Sequence, residues 1–152
     1  MKQNNTIISI IKTKIGNFLI ELDKKSIIKF LPTNKQVSYN SPDIKKIENN
    51  LYKYFLGKKK IFNYKITPYG TKFQKKVWNE ILKIEYGKTA SYYDLAKILG
   101  SSPRAIGNAC AKNPCILFIP CHRVILKNNS SGNYLMGNKI KKNLLKLEKE
   151  NS

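Results

Sequence analysis

Residues 91–112 read SYYDLAKILGSSPRAIGNACAK. Tyr92, Leu95, Ala96 and Leu99 recur at helical spacing, and Gly100 stops that helix. Ser101-Ser102-Pro103 is a short turn, in which Ser102 can cap and Pro103 can begin a second helix from about Arg104 to Lys112. Two helices joined by a glycine-containing turn have the pattern of a helix-turn-helix. On the second helix Arg104, Gly107, Asn108 and Ala111 fall at i, i+3, i+4 and i+7 and share a face, while Ile106 and Cys110 form an apolar one. A helix that reads bases in the major groove presents several long polar side chains. Here one long cation stands among small residues, which suits either close approach to DNA or tight helix packing. The spacing leaves both readings open.

Working outward, Asn113-Pro114 ends the second helix, and Cys115 to Ile119 reads as a buried strand or extended run. Ile140 to Lys149 forms a terminal helix with Leu144, Leu145 and Leu147 facing inward. Upstream, Phe73, Val77, Ile81 and Leu82 make another helical stripe, preceded by a boundary signal at Pro68-Tyr69-Gly70-Thr71. Before it, the apolar runs Ile7 to Lys14, Phe18 to Leu22 and Ser26 to Leu31 are separated by tight polar turns, the pattern of an antiparallel meander. Pro32 to Ser41 is a polar loop. Ser41 and Pro42 then open a helix carrying Ile44, Ile47, Leu51 and Phe55, and Gly57 closes it. Phe62 to Ile66 can supply one more strand. The expectation is an α+β chain with a boundary between residues 67 and 68.

The chain has 152 residues, enough for one domain or two small ones, and 41% of them are hydrophobic, enough for a core. No stretch is long and apolar enough to span a bilayer, and the polar start, Met1 to Thr6, is not followed by a secretory segment. A cytoplasmic protein without membrane contact is expected. The net charge is +20, which attracts a polyanion such as nucleic acid. That charge is spread evenly, with 14 basic and 4 acidic side chains in residues 1–70 and 15 and 5 in residues 71–152. It favours nucleic-acid binding without proving it, because a chain rich in Lys, Asn and Ile also reflects an AT-rich genome. Cys110, Cys115 and Cys121 are odd in number and lie close together, so free thiols are expected rather than a disulfide scaffold. With His122, the single histidine, they could supply four zinc ligands, but Cys110 and Cys115 lie on apolar stretches and no metal is expected.

Pro120-Cys121-His122-Arg123-Val124 is the densest cluster of reactive side chains. A thiol attacks as thiolate, and a free cysteine has a pKa of about 8.5, so a base is needed. His122 can take the proton. Side chains adjacent in sequence diverge, so the transfer would pass through a water. The imidazole would need an orienting carboxylate, and the later acids are Glu148 and Glu150, on the terminal helix. Most adjacent Cys-His pairs are structural, and the pair alone does not decide.

The segment Asn113-Pro114 through Ile119-Pro120-Cys121-His122-Arg123-Val124 resembles the active-site signature of the O6-alkylguanine-DNA alkyltransferases. The resemblance continues in Gly70 to Trp78, in Ser91-Tyr92, in Arg104-Ala105-Ile106-Gly107, in Gly132-Asn133-Tyr134, and from Lys141 to Glu148. It is dense from about residue 51 to 148 and looser before. It implies a small ribonuclease-H-like αβ domain over residues 1–67. A mainly helical winged-helix domain over 68–152 would bind duplex DNA from the minor groove and flip the damaged nucleotide into a pocket. It also implies roles. Cys121 would accept the alkyl group, with His122 as base through water and Glu148 orienting the imidazole. Tyr92 would donate to guanine N3, Arg104 would fill the gap left by the flipped base, and Asn113 would brace the turn. The carbonyls of Cys121 and Val124 would hold the exocyclic amine. Arg123, Tyr134, Leu135, Ala105, Gly107 and Asn108 would complete the substrate and DNA surface.

The implied reaction is a single transfer from O6-alkylguanine, and from O4-alkylthymine, to Cys121, giving a stable thioether. No cofactor or metal takes part, and a monomer with no obligate protein partner acts on double-stranded DNA. Three departures from the family pattern stand out. The turn Gly100 to Pro103 is about two residues short, Leu135 stands where some members carry a serine that contacts O6, and Asn128 to Ser131 lacks a loop glycine. The second predicts weakened rather than lost contact to O6. A non-catalytic alkyltransferase-like lesion binder is the main alternative, and Cys121 argues against it. A helix-turn-helix transcription factor would leave Pro120 to Arg123 without a role, and a Cys-His hydrolase would turn over many times.

Overall fold

Residues 5–36 and 41–152 are described by the computed structural model, a mixed α and β chain. The polar start and the loop before the first helix fall partly outside the described residues. The chain divides into two compact units, Met1–Tyr69 and Gly70–Ser152.

In the first unit the expected meander forms. Strands β1 (Thr6–Thr13), β2 (Gly16–Asp23) and β3 (Ser26–Pro32) make one antiparallel sheet in the order β1-β2-β3. Asp23 pairs with Ser26, so Lys24 and Lys25 form a two-residue turn with left-handed φ values of 46° and 69°. That conformation matches the twist of a hairpin but favours Asn and Gly over Lys. Helix α1 (Pro42–Phe55) starts where the cap signals place it, with Ser41 Oγ accepting from the Ile44 amide and Pro42 in the first turn. Its Ile44, Ile47, Leu51, Tyr54 and Phe55 are buried, and Phe18 and Phe30 stack at 4.5 Å in the sheet's core. The strand expected over residues 62–66 does not form. Only an isolated bridge joins Ile66 to Ile27, because the neighbouring residues alternate between exposed and half-buried and make no further ladder.

The second unit is mainly helical: α2 (Lys72–Leu82), α3 (Tyr92–Leu99), α4 (Pro103–Ala111) and α5 (Asn138–Glu150). Thr71 with Gln74 and Ser91 with Asp94 close reciprocal capping boxes at α2 and α3, and Ser102 caps α4. Gly100 ends α3 at φ 61°. The α2 stripe differs from expectation: Leu82 is 43% exposed, while Trp78 turns inward and its indole N–H donates to the Ala109 carbonyl at 2.9 Å. That bond fastens α2 to α4. Two very short strands, β4 (Ala90–Ser91) and β5 (Val124–Ile125), pair in parallel. Cys115 to Ile119 is not a strand. It is a buried turn in which Leu117 takes φ 70° and the Ile119 amide donates to the Cys115 carbonyl at 2.9 Å. On α5 the fully buried side chains are Lys141, Leu144 and Glu148, at i, i+3 and i+7, while Leu145 and Leu147 are half-buried.

Candidate active site

Asn113 organises the reactive segment. Its side-chain amide donates to the Ile119 carbonyl at 2.8 Å and to Cys121 Sγ at 3.2 Å, and its oxygen accepts from the Cys115 amide at 2.9 Å. These bonds fold residues 113–121 into a closed turn. Cys121–Arg123 then form one turn of 3-10 helix, and β5 carries the chain alongside β4. Because β4 leads directly into α3, this pairing brings Tyr92 towards Cys121. Cys121 is 3% exposed. Burial pushes its thiol well above the ordinary value, and contact with the Cys110 thiol adds to the rise. The Asn113 bond and the Lys141 charge work in the opposite direction.

His122 and Arg123 converge on one carboxylate. Glu148 Oε1 lies 2.7 Å from His122 Nε2 and accepts from Arg123 Nη2 at 3.0 Å, and Oε2 accepts from Arg123 Nε at 2.9 Å. Arg123 also donates to the Ile84 carbonyl at 2.7 Å. Burial alone would raise the Glu148 carboxyl, but its bonds to His122 and Arg123 hold it down at about 2. It is therefore ionised at neutral pH. Burial lowers the His122 pKa against the opposing pull of Glu148, so the ring is neutral there. A neutral ring facing a carboxylate through Nε2 carries its proton on Nε2 and keeps the Nδ1 lone pair available. Nδ1 has no hydrogen-bond partner among the described residues.

Cys121 borders a cavity of about 590 Å³. Its walls include Tyr92, Arg104, Gly107, Asn108, Cys110 and the loop residues Tyr134 and Leu135. The exposed face of α4 thus continues into a recess that ends at a thiol. A larger groove of about 990 Å³ lies in the first unit, and no Cys or His borders it. Lys141 is buried beside the recess, donating to the Val124 carbonyl at 2.6 Å, the Asn133 carbonyl at 3.2 Å and the Tyr92 hydroxyl at 3.4 Å. Among the described residues, no group of three or more His, Cys, Asp or Glu side chains could hold a metal ion. No helix there is long and apolar enough to cross a membrane.

Comparison with known proteins gives a consistent result. The family model for the DNA-binding domain of 6-O-methylguanine DNA methyltransferases matches residues 72–150. A methylated-DNA–protein-cysteine methyltransferase of Methanosarcina acetivorans is 36% identical over 92% of this chain and 96% of its own length. The chain belongs to the 6-O-methylguanine DNA methyltransferase family. A probable methylated-DNA–protein-cysteine methyltransferase of Acanthamoeba polyphaga mimivirus is 40% identical over 95% of this chain and 98% of its own. Among solved structures of the methyltransferase family, a Mycobacterium tuberculosis enzyme in complex with DNA matches with a TM-score of 0.84 at 30% identity, covering 94% of this chain and 92% of that one.

In this methyltransferase the residues singled out from the sequence fall into distinct groups. Cys121, Tyr92, Arg104, Gly107, Asn108, Tyr134 and Leu135 border the recess. Asn113, His122 and Glu148 are buried and do not border it; Asn113 is bonded to Cys121, and His122 separately to Glu148. Ala105 borders a shallower hollow with Thr71 and Asn108. Arg123, grouped with the DNA surface on sequence grounds, is instead turned inward: its guanidinium is spent on Glu148 and Ile84 and does not border the recess. Val124 contributes its carbonyl, which already accepts from Lys141. Lys141 itself was missed as a site residue. Its signal was present, because Lys141, Leu144 and Glu148 share one helical face, but a lysine on a lysine-rich helix reads as solvated.

Proposed function

We propose that this protein repairs DNA by moving the alkyl group of O6-alkylguanine, and of O4-alkylthymine, onto Cys121. The observation that carries the reading is a buried thiol at the end of a recess, backed by a His-Glu pair with one free ring nitrogen. The first unit is read as ribonuclease-H-like and the second as a winged helix. A monomer would present the exposed face of α4 to the minor groove, with Arg104 entering the stack as the damaged nucleotide swings out.

The Cys121 proton passes through a water to His122 Nδ1, and Glu148 stabilises the resulting imidazolium. Thiolate sulfur attacks the alkyl carbon, an S–C bond forms and the C–O6 bond breaks. The electron pair stays with the base, which takes a proton at N3 from Tyr92. The phenol regains its proton from the imidazolium, so thiol plus alkylguanine becomes thioether plus guanine. Burial raises the Tyr92 pKa, which keeps the phenol protonated and able to donate. The carbonyls of Cys121 and Val124 accept from the exocyclic amine. Leu135, 53% exposed, offers no side-chain donor to O6, so a backbone N–H would serve. No group at hand can cleave a thioether, and each molecule repairs one lesion. The three free thiols suit a reducing cytoplasm.

Titrating a fixed amount of protein with duplex carrying O6-methylguanine tests this. Repair that stops at one lesion per protein is expected, and continued turnover would refute the reading.

A further inference from the structure

Two of the three thiols meet in the recess. Cys110 on α4 and Cys121 on the 3-10 turn both border it, and their side chains are in hydrogen-bond contact. The bonds of Asn113 bring this about. They fold residues 113–121 back towards the end of α4, and the Asn113 amide holds Cys121 Sγ at 3.2 Å. Cys110 is half-buried, whereas Cys121 is 3% exposed, so a small solute entering the recess reaches Cys110 first. Cys115 is fully buried and does not border the recess.

Alkyl transfer to Cys121 uses one sulfur. Cys110 takes no part in it, and its contact raises the Cys121 thiol, which works against a nucleophile. Oxidation gives the second sulfur a use. A cysteine that reacts with peroxide becomes a sulfenic acid. Beside a second thiol, the sulfenic acid condenses to a disulfide, which thiol exchange reverses. Without such a neighbour it goes on to sulfinic acid, which thiols do not reduce. A disulfide needs two sulfurs that face each other, and the thiol contact supplies them.

We propose that Cys110 and Cys121 form an oxidisable dithiol, which peroxide closes to a disulfide and a thiol reductant reopens, so that the acceptor sulfur escapes irreversible oxidation. The Cys110 sulfur attacks one peroxide oxygen, the O–O bond breaks, and a sulfenic acid and a water form. The Cys121 sulfur then attacks the sulfenic sulfur. An S–S bond forms, the S–O bond breaks, and the hydroxide leaves as a second water with the Cys121 proton. Two thiols and one hydrogen peroxide thus become one disulfide and two waters, the sulfurs losing two electrons and the peroxide gaining two. Such a bond is transient in a reducing compartment, unlike a structural disulfide. The bond itself stands on the thiol contact; that it suspends repair rests on the alkyl-transfer reading above.

The test treats the full chain and its Cys110→Ser variant with hydrogen peroxide, then divides each sample and adds dithiothreitol to one half. Intact mass and non-reducing peptide mapping read the bond, and methyl acceptance from an O6-methylguanine duplex reads the consequence, each protein being compared with its own untreated sample. The unmodified protein is expected to lose the mass of two hydrogens and to lose methyl acceptance in step, with dithiothreitol restoring both. Trypsin separates Cys110 from Cys121 at Lys112, and fragmentation of the linked pair distinguishes Cys121 from Cys115, since no Lys or Arg lies between those two. In Cys110→Ser, acceptance lost to peroxide is not recovered by dithiothreitol. No loss of two hydrogens from the unmodified protein would overturn the proposal, and this readout does not depend on the variant's folding. A bond through Cys115 or between two molecules would overturn it too, as would equal recovery in Cys110→Ser. Failure of the untreated protein to accept methyl, with the Cys110–Cys121 bond still formed by peroxide, would count against the alkyl-transfer reading and leave the dithiol standing.

Discussion

Replacing Glu148 by Gln isolates the charge at the centre of the buried set. Gln has nearly the shape of a protonated Glu, so the substitution mimics the carboxyl after it has taken up a proton. The folded protein holds that carboxyl at about 2 against an ordinary value of 4.5. At 1.36 kcal/mol per pKa unit, the ionised form contributes about 3 kcal/mol to stability. Breaking a buried ion pair by removing one partner costs about 3–5 kcal/mol, so the two routes agree. Arg123, whose side chain is 11% exposed, would be left as the uncompensated charge. For a chain of this size each kcal/mol moves Tm by about 2–4 °C, so Glu148→Gln should melt about 6–12 °C lower at neutral pH. The pH dependence has a definite sign. A depressed carboxyl contributes stability above its unfolded value and loses it as pH falls through 4.5 towards 2. The gap between unmodified protein and variant should therefore be full at neutral pH, shrink across that window and vanish below it. Trp78, the single tryptophan, lies 2% exposed in the second unit, so its fluorescence reports the melting of that unit. Equal Tm values at neutral pH, or a gap that does not change with acid, would refute the reasoning.

Other consequences concern the thiol, the α2–α4 fastening and the first unit's second hairpin. The Cys110 contact raises the Cys121 thiol pKa and the Asn113 bond lowers it, so Cys110→Ala should shift the pH profile of Cys121 alkylation downwards and Asn113→Ala upwards. Iodoacetamide rates against pH measure both, and shifts of the same sign would contradict the assignment. Trp78→Phe leaves the buried Ala109 carbonyl without its indole donor and should cost about 1–3 kcal/mol by denaturant melting. In the first unit Lys24 and Lys25 both sit at left-handed φ. Replacing them with Asn and Gly should stabilise that unit by about 1–2 kcal/mol, read from hydrogen exchange of β2 and β3 amides.

The legible parts of the fold were those written in local chemistry. Ser41-Pro42 and Ser102-Pro103 announce helix starts because a hydroxyl cap and a proline in the first turn satisfy needs internal to the helix. The meander was readable because its turns are short and its strands are bounded by polar residues. Cys121 and His122 were readable through the family resemblance of the segment that carries them, because an adjacent thiol and imidazole alone read as structural. The remainder depended on contacts distant in sequence. Lys141 and Trp78 are buried because of acceptors 17 and 31 residues away. Arg123 turns inward because Glu148 waits 25 residues on, which its position beside Cys121 and His122 cannot reveal. The apolar run Cys115 to Ile119 looked like a strand because burial and apolar composition do not separate an extended segment from the turn that Asn113 closes. Leu82 fits the helical period yet is 43% exposed, because it is the last residue of α2 and lies at the edge of the face that Val77, Trp78 and Ile81 bury.

The most direct measurement is intact mass, followed by peptide mapping, after mixing the protein with excess duplex carrying one O6-methylguanine. One added methyl on the Cys121 peptide, and none in Cys121→Ser, is the expected result. No added mass with duplex binding retained would contradict alkyl transfer and leave a lesion-binding protein. A methyl on Cys110, which borders the same recess, would show that the acceptor is wrongly assigned.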